Sequence, residues 1–260
     1  PEGSNAVEED PASPAVVFSH VSLQYGTAGS ESLTDLSFTA LRGQTIGIIG
    51  GTGSGKSSLV NLIPRFYDAT SGSVTLLGRP AADWPRKALR ERVAVVPQRA
   101  QLFSGTIRSN LAFGCPDATD DMLWSALEAA QAADFVRQKP GGLDEAVEQG
   151  GRNFSGGQRQ RLTIARALIT HPEILILDDS ASALDFATDA ALRKALAALP
   201  GDMTVFLVSQ RSSSLQHADQ ILVLDDGRLV GCGTHSQLLE TCGTYREIYE
   251  SQFRRGEDTV

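Results

Sequence analysis

Apolar positions along this chain follow two periods, and the change from one to the other marks out its elements. In "VVFSHVSLQY" (16–25) and "DLSFTAL" (35–41) apolar and polar residues roughly alternate, which predicts half-buried antiparallel strands. "TIGIIG" (45–50) is instead a short unbroken apolar run closing in Gly, suited to a strand buried on both faces. It passes into "GTGSGKSSLVNLI", whose later part takes helical spacing. "RVAVVPQ" (92–98), "ILILD" (174–178) and "TVFLVS" (204–209) read as further strands. One helix is predicted over 117–138, with Trp124, Leu127 and Ala130 on one face, and another over 185–199. Ser155 stands as N-cap before "GGQRQRLTIARALIT", which His171-Pro172 stops. "ILVLDDGRLV" (221–230) reads as a hairpin turning at Asp226-Gly227, and "THSQLL" (234–239) as a helix start with Thr234 and Gln237 in a capping box.

Strands alternating with helices predict an α/β fold with a mostly parallel sheet covered on both sides. The early alternating strands form an antiparallel β subdomain at its edge. The stretch of roughly 99–170, poor in strand signals, reads as an inserted α-helical subdomain. "PEGSNAVEEDPASPA" at the front is rich in Pro, Ser and acid and reads as a linker; "RRGEDTV" at the end reads as a loose tail.

The net charge of −8 weighs against a nucleic-acid partner, which needs a local cationic surplus, but leaves room for a small anion site. Cys115, Cys232 and Cys242 fall at no metal-ligand or disulfide-framework spacing and read as unpaired thiols in a reducing, cytosolic compartment. No apolar stretch reaches the ~18–20 residues that span a bilayer, and the first residues carry no signal-peptide pattern. Trp84, Trp124 and Phe103 read as core packing, Arg159 and Arg161 as a solvated or interface face of their helix, and His217 and His235 as ordinary surface or capping residues.

The chemistry begins at residues 50–57, Gly50-Gly51-Thr52-Gly53-Ser54-Gly55-Lys56-Ser57, which fit G-x-x-x-x-G-K-[ST] between a strand and a helix. Glycines let backbone N–H groups turn toward an anion, Lys56 would reach the β- and γ-phosphates, and the Ser57 hydroxyl would ligate Mg²⁺. That ion needs a carboxylate nearby, and the buried run "ILILD" delivers Asp178. Between the two lies "NFSGGQRQRLTIARAL" (153–168), where Ser155, Gly156, Gly157 and Gln158 open a helix and offer a second anion-binding end. A second such end makes sense if it serves a nucleotide held by another subunit.

With these motifs in this order, the chain resembles the ATP-binding cassette (ABC) family of transporter ATPases over about 16–253. The resemblance implies a P-loop NTPase core. It places Tyr25 on adenine, and Gly50 to Ser58 (Gly51, Thr52, Gly53, Ser54, Gly55, Lys56, Ser57 and Ser58 among them) on the ATP phosphates as the Walker A loop. It makes Asp178 the Walker B aspartate and Gln98 a Q-loop residue contacting Mg²⁺ and the membrane-domain interface. Ser155 to Gln158 become the signature facing a partner's ATP, and Ser182, Ala183, Leu184 and Asp185 a D-loop crossing the dimer interface. Two such domains would sandwich two ATP molecules head to tail. "PQRAQLFSGTIRSNLAFG" (97–114) resembles the exporter subgroup, in which membrane helices and nucleotide domain share one polypeptide; Phe103 then lies where membrane-domain coupling helices would meet it. On that reading 1–14 is a linker from a transmembrane domain, 15–253 the nucleotide-binding domain, 254–260 a flexible tail, and the domain works on the cytoplasmic side of a membrane.

Two positions depart from the hydrolytic pattern. The family's Glu after the Walker B Asp is Asp179, and its His after the next strand is Gln210. Acidity is not the difference, since Asp and Glu reference values lie about 0.4 unit apart. Reach is: an Asp side chain falls short by up to ~1.5 Å, a general base must sit about 2.6–3.2 Å from its proton partner, and a misplacement of about 1 Å can cost around a hundredfold. Gln210 can donate a hydrogen bond to phosphate but carries no charge and shuttles no proton. The pairing resembles the degenerate-site subunit of heterodimeric ABC exporters: ATP held, local hydrolysis slow, an intact signature lent to a different partner chain. The alternatives are a soluble ABC-type switch without a membrane partner, and a homodimeric exporter domain with ordinary turnover.

Overall fold

The computed structural model describes residues 12–26 and 31–257; most of the expected linker, 1–11, and the last residues of the expected tail, 258–260, lie outside the described residues. The alternating segments at the front form β1 (Val16–Gln24) and β2 (Glu31–Ala40), antiparallel, with the Phe18 and Phe38 rings stacked at 4.6 Å. The run 45–50 is β3 (Thr45–Gly50), and after the glycine-rich loop comes α1 (Lys56–Leu62). Next come β4 (Ser71–Leu76) and β5 (Arg79–Pro80), which complete an antiparallel sheet in the order β2-β1-β4-β5. The sequence pattern predicts no strand at β4, because only Val74 and Leu76 of its six residues are buried and its other face carries Ser71, Ser73 and Thr75. Trp84 fastens the end of this sheet: its ring is buried as expected, and its Nε1 donates to the Leu76 carbonyl at 3.1 Å.

Helix α2 (Arg86–Arg92) leads into β6 (Val93–Val96), and the chain then leaves the sheet for the helical subdomain. That layer holds β7 (Gly105–Thr106), α3 (Ile107–Leu111), α4 (Asp120–Ala129), α5 (Ala133–Arg137), β8 (Ala146–Val147) and α6 (Gly156–Leu168). The single helix expected over 117–138 is therefore two. Gln131 turns left-handed (φ 57°), its N–H bonds the Glu128 carbonyl and the Ala132 N–H bonds Leu127, a paired closure that ends a helix. The apolar spacing runs on across the break because α5 packs into the same core as α4.

Returning, the chain forms β9 (Ile174–Asp178), α7 (Phe186–Ala197), β10 (Thr204–Val208), the hairpin β11 (Gln220–Asp225) and β12 (Arg228–Gly233), and then α8 (His235–Thr241) and α9 (Gly243–Glu257). Helix α9 thus continues past 254, where the tail was expected to begin. The large sheet has the order β12-β11-β3-β10-β9-β6, parallel except for β12. Its strands alternate between two cores. Ile174, Ile176, Phe206 and Val208 face α1 and the antiparallel sheet, while Leu175, Leu177, Val205 and Leu207 pack with the helical layer, α7 and Tyr245 of α9. Each such side chain, fully buried, contributes roughly 1.5–3 kcal/mol, so both faces of β9 and β10 are committed and their slack lies only at the ends.

Expectations for Phe103, Arg159 and Arg161 change, and that for Trp124 holds. Phe103 is 48% exposed and stacks loosely on exposed Phe113 rather than filling a core. Trp124 is half-buried and packs against the core of the helical layer, with the Arg137 guanidinium 5.0 Å from its ring centre. Arg159 and Arg161 are not a solvated face: Arg159 donates to the Phe154 carbonyl at 2.6 Å and Arg161 to the Gln131 carbonyl at 2.6 Å, so both staple α6 to its surroundings. Among the described residues no helix is long and apolar enough to cross a membrane.

Candidate nucleotide site

Every candidate on the Walker side except Tyr25, which follows the antiparallel strand β1, sits at or just beyond the carboxyl end of a parallel strand. The glycine-rich loop follows β3, Gln98 follows β6, Asp178 ends β9 with Asp179 next to it, and Gln210 follows β10. Ligands of open α/β sheets bind in the crevice at this edge. The loop enters α1 through Gly55, which is left-handed (φ 98°) and makes no side-chain cap; a Cβ there would lie 2.7 Å from Leu33 and 2.8 Å from the Ser32 carbonyl. Only glycine fits that turn, and the loop amides keep the freedom to face an anion. The Gly227 N–H donates to the Ser54 carbonyl at 3.2 Å, so the β11–β12 turn braces the loop from behind. Gly53, Gly55, Lys56, Ser57 and Ser58 line a cleft of about 300 Å³ together with Glu31, Ser32, Asp226 and Gly227. A larger cavity of about 580 Å³ lies under α7, lined by Leu177, Val205, Leu207 and Arg193, and none of the Walker-side residues line it.

Lys56 folds back into its own loop, donating to the Gly50 carbonyl at 2.9 Å and the Gly51 carbonyl at 2.7 Å. Burial lowers its pKa, against the pull of Asp179 and Asp178. The Ser57 hydroxyl stands 3.5 Å from Asp178 Oδ1. A hydroxyl facing a carboxylate beside a phosphate loop is the hard-oxygen donor set that suits Mg²⁺, which takes one or two protein carboxylates and keeps its waters. Burial raises the pKa of Asp178, the Ser57 hydrogen bond opposing, and burial likewise raises that of Asp179. Both carboxylates are thus less content to be charged than in water, a strain that a cation would relieve.

Asp179 turns out of β9 in a left-handed conformation (φ 47°) that Asp tolerates better than most residues. Its Oδ2 accepts from Gln98 Nε2 at 3.0 Å. Gln98 is thereby paired with Asp179, the neighbour of the expected Mg²⁺ ligand Asp178. The Asp179 carbonyl accepts from the Ser182 hydroxyl at 2.8 Å, which ties it to the 182–185 loop. Gln210 is exposed, and its neighbour Arg211 lies with its guanidinium 5.5 Å over Phe186 and adds to the positive field at Asp179.

Tyr25 is exposed at the rim; its hydroxyl donates to Ser58 Oγ at 3.2 Å and its ring meets Tyr67 edge-on at 4.9 Å. Tyr67 went unread because nothing in linear spacing joins it to a residue 42 positions earlier. The support from Gly227 and the Ser182 bond were missed for the same reason.

The second group is separate. Ser155 caps α6 and closes a reciprocal box: its hydroxyl accepts from the Gln158 N–H at 3.2 Å, and Gln158 Oε1 accepts from the Ser155 N–H at 3.0 Å. The amides of Gly156 and Gly157 remain as the outward donors of that helix start. Gly157 abuts the 182–185 loop so closely that a Cβ would lie 3.2 Å from the Ala183 carbonyl. In that loop Leu184 is buried, and Asp185 caps α7 through the Thr188 N–H at 2.8 Å. None of Ser155–Gln158 lines the cleft at the glycine-rich loop.

These features have counterparts among known proteins. The family model described as "ABC transporter" matches residues 33–182. The ABC transporter ATP-binding protein YknU of Bacillus subtilis (strain 168) is 45% identical over 239 residues, covering 92% of this chain and 41% of that protein. The probable multidrug resistance ABC transporter ATP-binding/permease protein YheI of the same organism is 44% identical over 250 residues, covering 94% and 43%. A solved bacterial Atm1-family ABC exporter with ATP bound superposes with a TM-score of 0.89 at 35% identity over 96% of this chain and 43% of that one. The chain thus spans less than half the length of the relatives it matches.

Proposed function

The chain belongs to the ABC transporter family as an ATP-binding domain of the exporter type, and from that premise we propose that it is a motor domain whose own Walker site binds Mg-ATP but turns it over slowly. In this reading the loop amides from Gly51 to Gly55 and Lys56 hold the phosphates, and Ser57 and Asp178 hold Mg²⁺, which neutralises phosphate charge. Tyr25 supports the base, and Gln210 donates to the γ-phosphate. Ser155, Gly156, Gly157 and Gln158 complete the site of a second, different ATP-binding chain, with the 182–185 loop between them. Transmembrane coupling helices of the full-length polypeptide meet the exposed Phe103–Phe113 surface, on the cytoplasmic side of the membrane.

The observation that carries the slow-site reading is the state of Asp179. A carboxylate already one methylene shorter than Glu gives one oxygen to Gln98 at 3.0 Å, and Gln210 in the neighbouring position cannot bear positive charge. The names of the relatives, ATP-binding/permease and exporter, favour a membrane-coupled domain over a soluble switch.

The test is ATP turnover by the chain alone, by Asp179→Glu/Gln210→His, and by each mixed with the exporter's other ATP-binding chain. The double substitution is expected to raise the chain's own turnover by about a hundredfold. An unmodified chain running at an ordinary transporter rate, or a double variant no faster than its parent, removes the slow-site reading.

A further inference from the structure

Gln210 is exposed, yet the backbone on both sides of it is pinned. The Ser209 N–H donates to the Ile48 carbonyl at 3.1 Å, which ties the segment to β3 just upstream of the glycine-rich loop. The Arg211 N–H donates to Ser209 Oγ at 3.0 Å. Beyond that, a single side chain from α9 takes over. Gln252 Oε1 accepts from both the N–H and the hydroxyl of Ser212, each at 2.9 Å, while Gln252 Nε2 donates to the Gln210 carbonyl at 2.7 Å. One amide thus uses its acceptor and its donor on two residues of the same short segment, 40 positions away in the chain. Ser212 is 1% exposed, so its two donors have no water to fall back on.

The helix that carries Gln252 is itself anchored. Tyr245 of α9 is fully buried in the core shared with β9 and β10, and its hydroxyl lies 2.7 Å from His235 Nδ1 on α8. The amide of Gln252 therefore hangs from a fixed scaffold and holds the Gln210–Ser212 backbone, while the next residues are held from α7, where the Ser214 hydroxyl donates to Asp189 at 3.2 Å and Arg193 donates to the Ser214 carbonyl at 3.2 Å.

We propose that Gln252 is a positioning residue for the γ-phosphate: it fixes the Gln210–Ser212 backbone so that the Gln210 side chain is held ready at the mouth of the site. This rests on the reading of Gln210 as a γ-phosphate donor. Through Gln252 the orientation of α9 is felt at the nucleotide, although none of the described residues of α9 lines the cleft.

The experiment measures affinities of the 260-residue chain for Mg-ADP and for a Mg-bound non-hydrolysable ATP analogue, and reads their ratio beside the melting temperature. Gln252→Glu is the informative variant, since it keeps the length and the acceptor toward Ser212 but sets an oxygen against the Gln210 carbonyl. Gln252→Met, as long and without any amide, stands in should the added charge unfold the chain. Gln252→Glu is expected to reduce the preference for triphosphate by about 3- to 10-fold, the worth of one neutral hydrogen bond. It should add nothing further in a Gln210→Ala background, because the two act as one unit.

A purely structural role would lower the melting temperature and leave the ratio where it was, and that result overturns the proposal. If Gln210→Ala shifts the ratio and neither Gln252 variant does, the positioning role alone is lost. If Gln210→Ala leaves the ratio unchanged, the reading of Gln210 fails and the role of Gln252 goes with it.

Discussion

Two helix starts in this chain are glycine-rich, those of α1 and α6, and they are built in opposite ways. The loop entering α1 has no side-chain cap: Gly55 turns left-handed, and the cation in the bend, Lys56, spends its hydrogen bonds on loop carbonyls. The start of α6 is closed on itself by a reciprocal bond between Ser155 and Gln158, leaving only two glycine amides facing outward. The first is an open cradle that needs a ligand to satisfy it. The second is already stable and offers a small, stiff donor surface. An open cradle suits a nucleotide that must be gripped along its phosphates, and a closed cap suits one that is presented from across an interface. The difference teaches that shared chemistry, backbone amides at a glycine-rich turn, does not imply a shared task.

The largest effect is expected where the open cradle loses its cation. Lys56→Ala should weaken Mg-ATP binding by this chain roughly 10- to 150-fold, the worth of a hydrogen bond to a charged group. Ser155→Ala, measured by the same calorimetric titration, should leave that affinity unchanged. A comparable loss in both variants would break the comparison, because it would make the two helix starts halves of one site within a single chain.

How much of the fold and the site was legible beforehand depends on where the partners lie in the chain. Gly50 to Ser57 stand consecutively, so their chemistry could be read without a fold, and Asp178 announces itself as the polar end of an apolar run. The strands of the parallel sheet were legible because burial on both faces leaves a continuous apolar signature, as in Ile174–Leu177. Features that stayed hidden depend on distant partners. Arg161 looks like a surface charge until Gln131, 30 positions earlier, supplies a carbonyl for it. Gln252 looks like any polar residue on a terminal helix until it meets Ser212. The break at Gln131 was invisible for another reason: the closure that ends α4 is a backbone event, and the apolar spacing that serves as the helix signal continues into α5. The 71–76 strand carries too few buried side chains to signal at all.

A smaller effect should come from opening the cap of α6. Ser155→Ala removes the acceptor of the Gln158 N–H and should cost about 1 kcal/mol of stability, seen as a fall of about 2–4 °C in melting temperature for a chain of this size. Mixed with a hydrolytically competent partner chain, the same variant should reduce the partner's ATP turnover and not this chain's nucleotide affinity. Ser155→Asn restores an N-cap acceptor and should recover the melting temperature. If the alanine variant melts at the parent temperature, the closed-cap description is wrong.

The smallest effect sharpens the comparison with a third helix start. Asp185 caps α7 as Ser155 caps α6, but with a charge, bonding both the N–H and the hydroxyl of Thr188. Those bonds, the backbone one first, hold its pKa below the usual carboxylate value. A carboxylate whose pKa is depressed by folding adds stability at pH above its unfolded value, near 3.9, and loses it as pH falls through the folded value. Asp185→Asn keeps an acceptor for Thr188 and drops the charge, so its deficit relative to the parent should be small at neutral pH and should vanish in acid. Arg161 on α6 feels the Asp185 charge, so part of the same deficit should fade with added salt. The decrement from Ser155→Ala has no titrating group behind it and should stay constant over the same range. Melting curves of both variants and the parent between neutral pH and about pH 3 distinguish the two caps. Parallel pH profiles for the two variants would mean that the charge on Asp185 does nothing that a neutral cap cannot do.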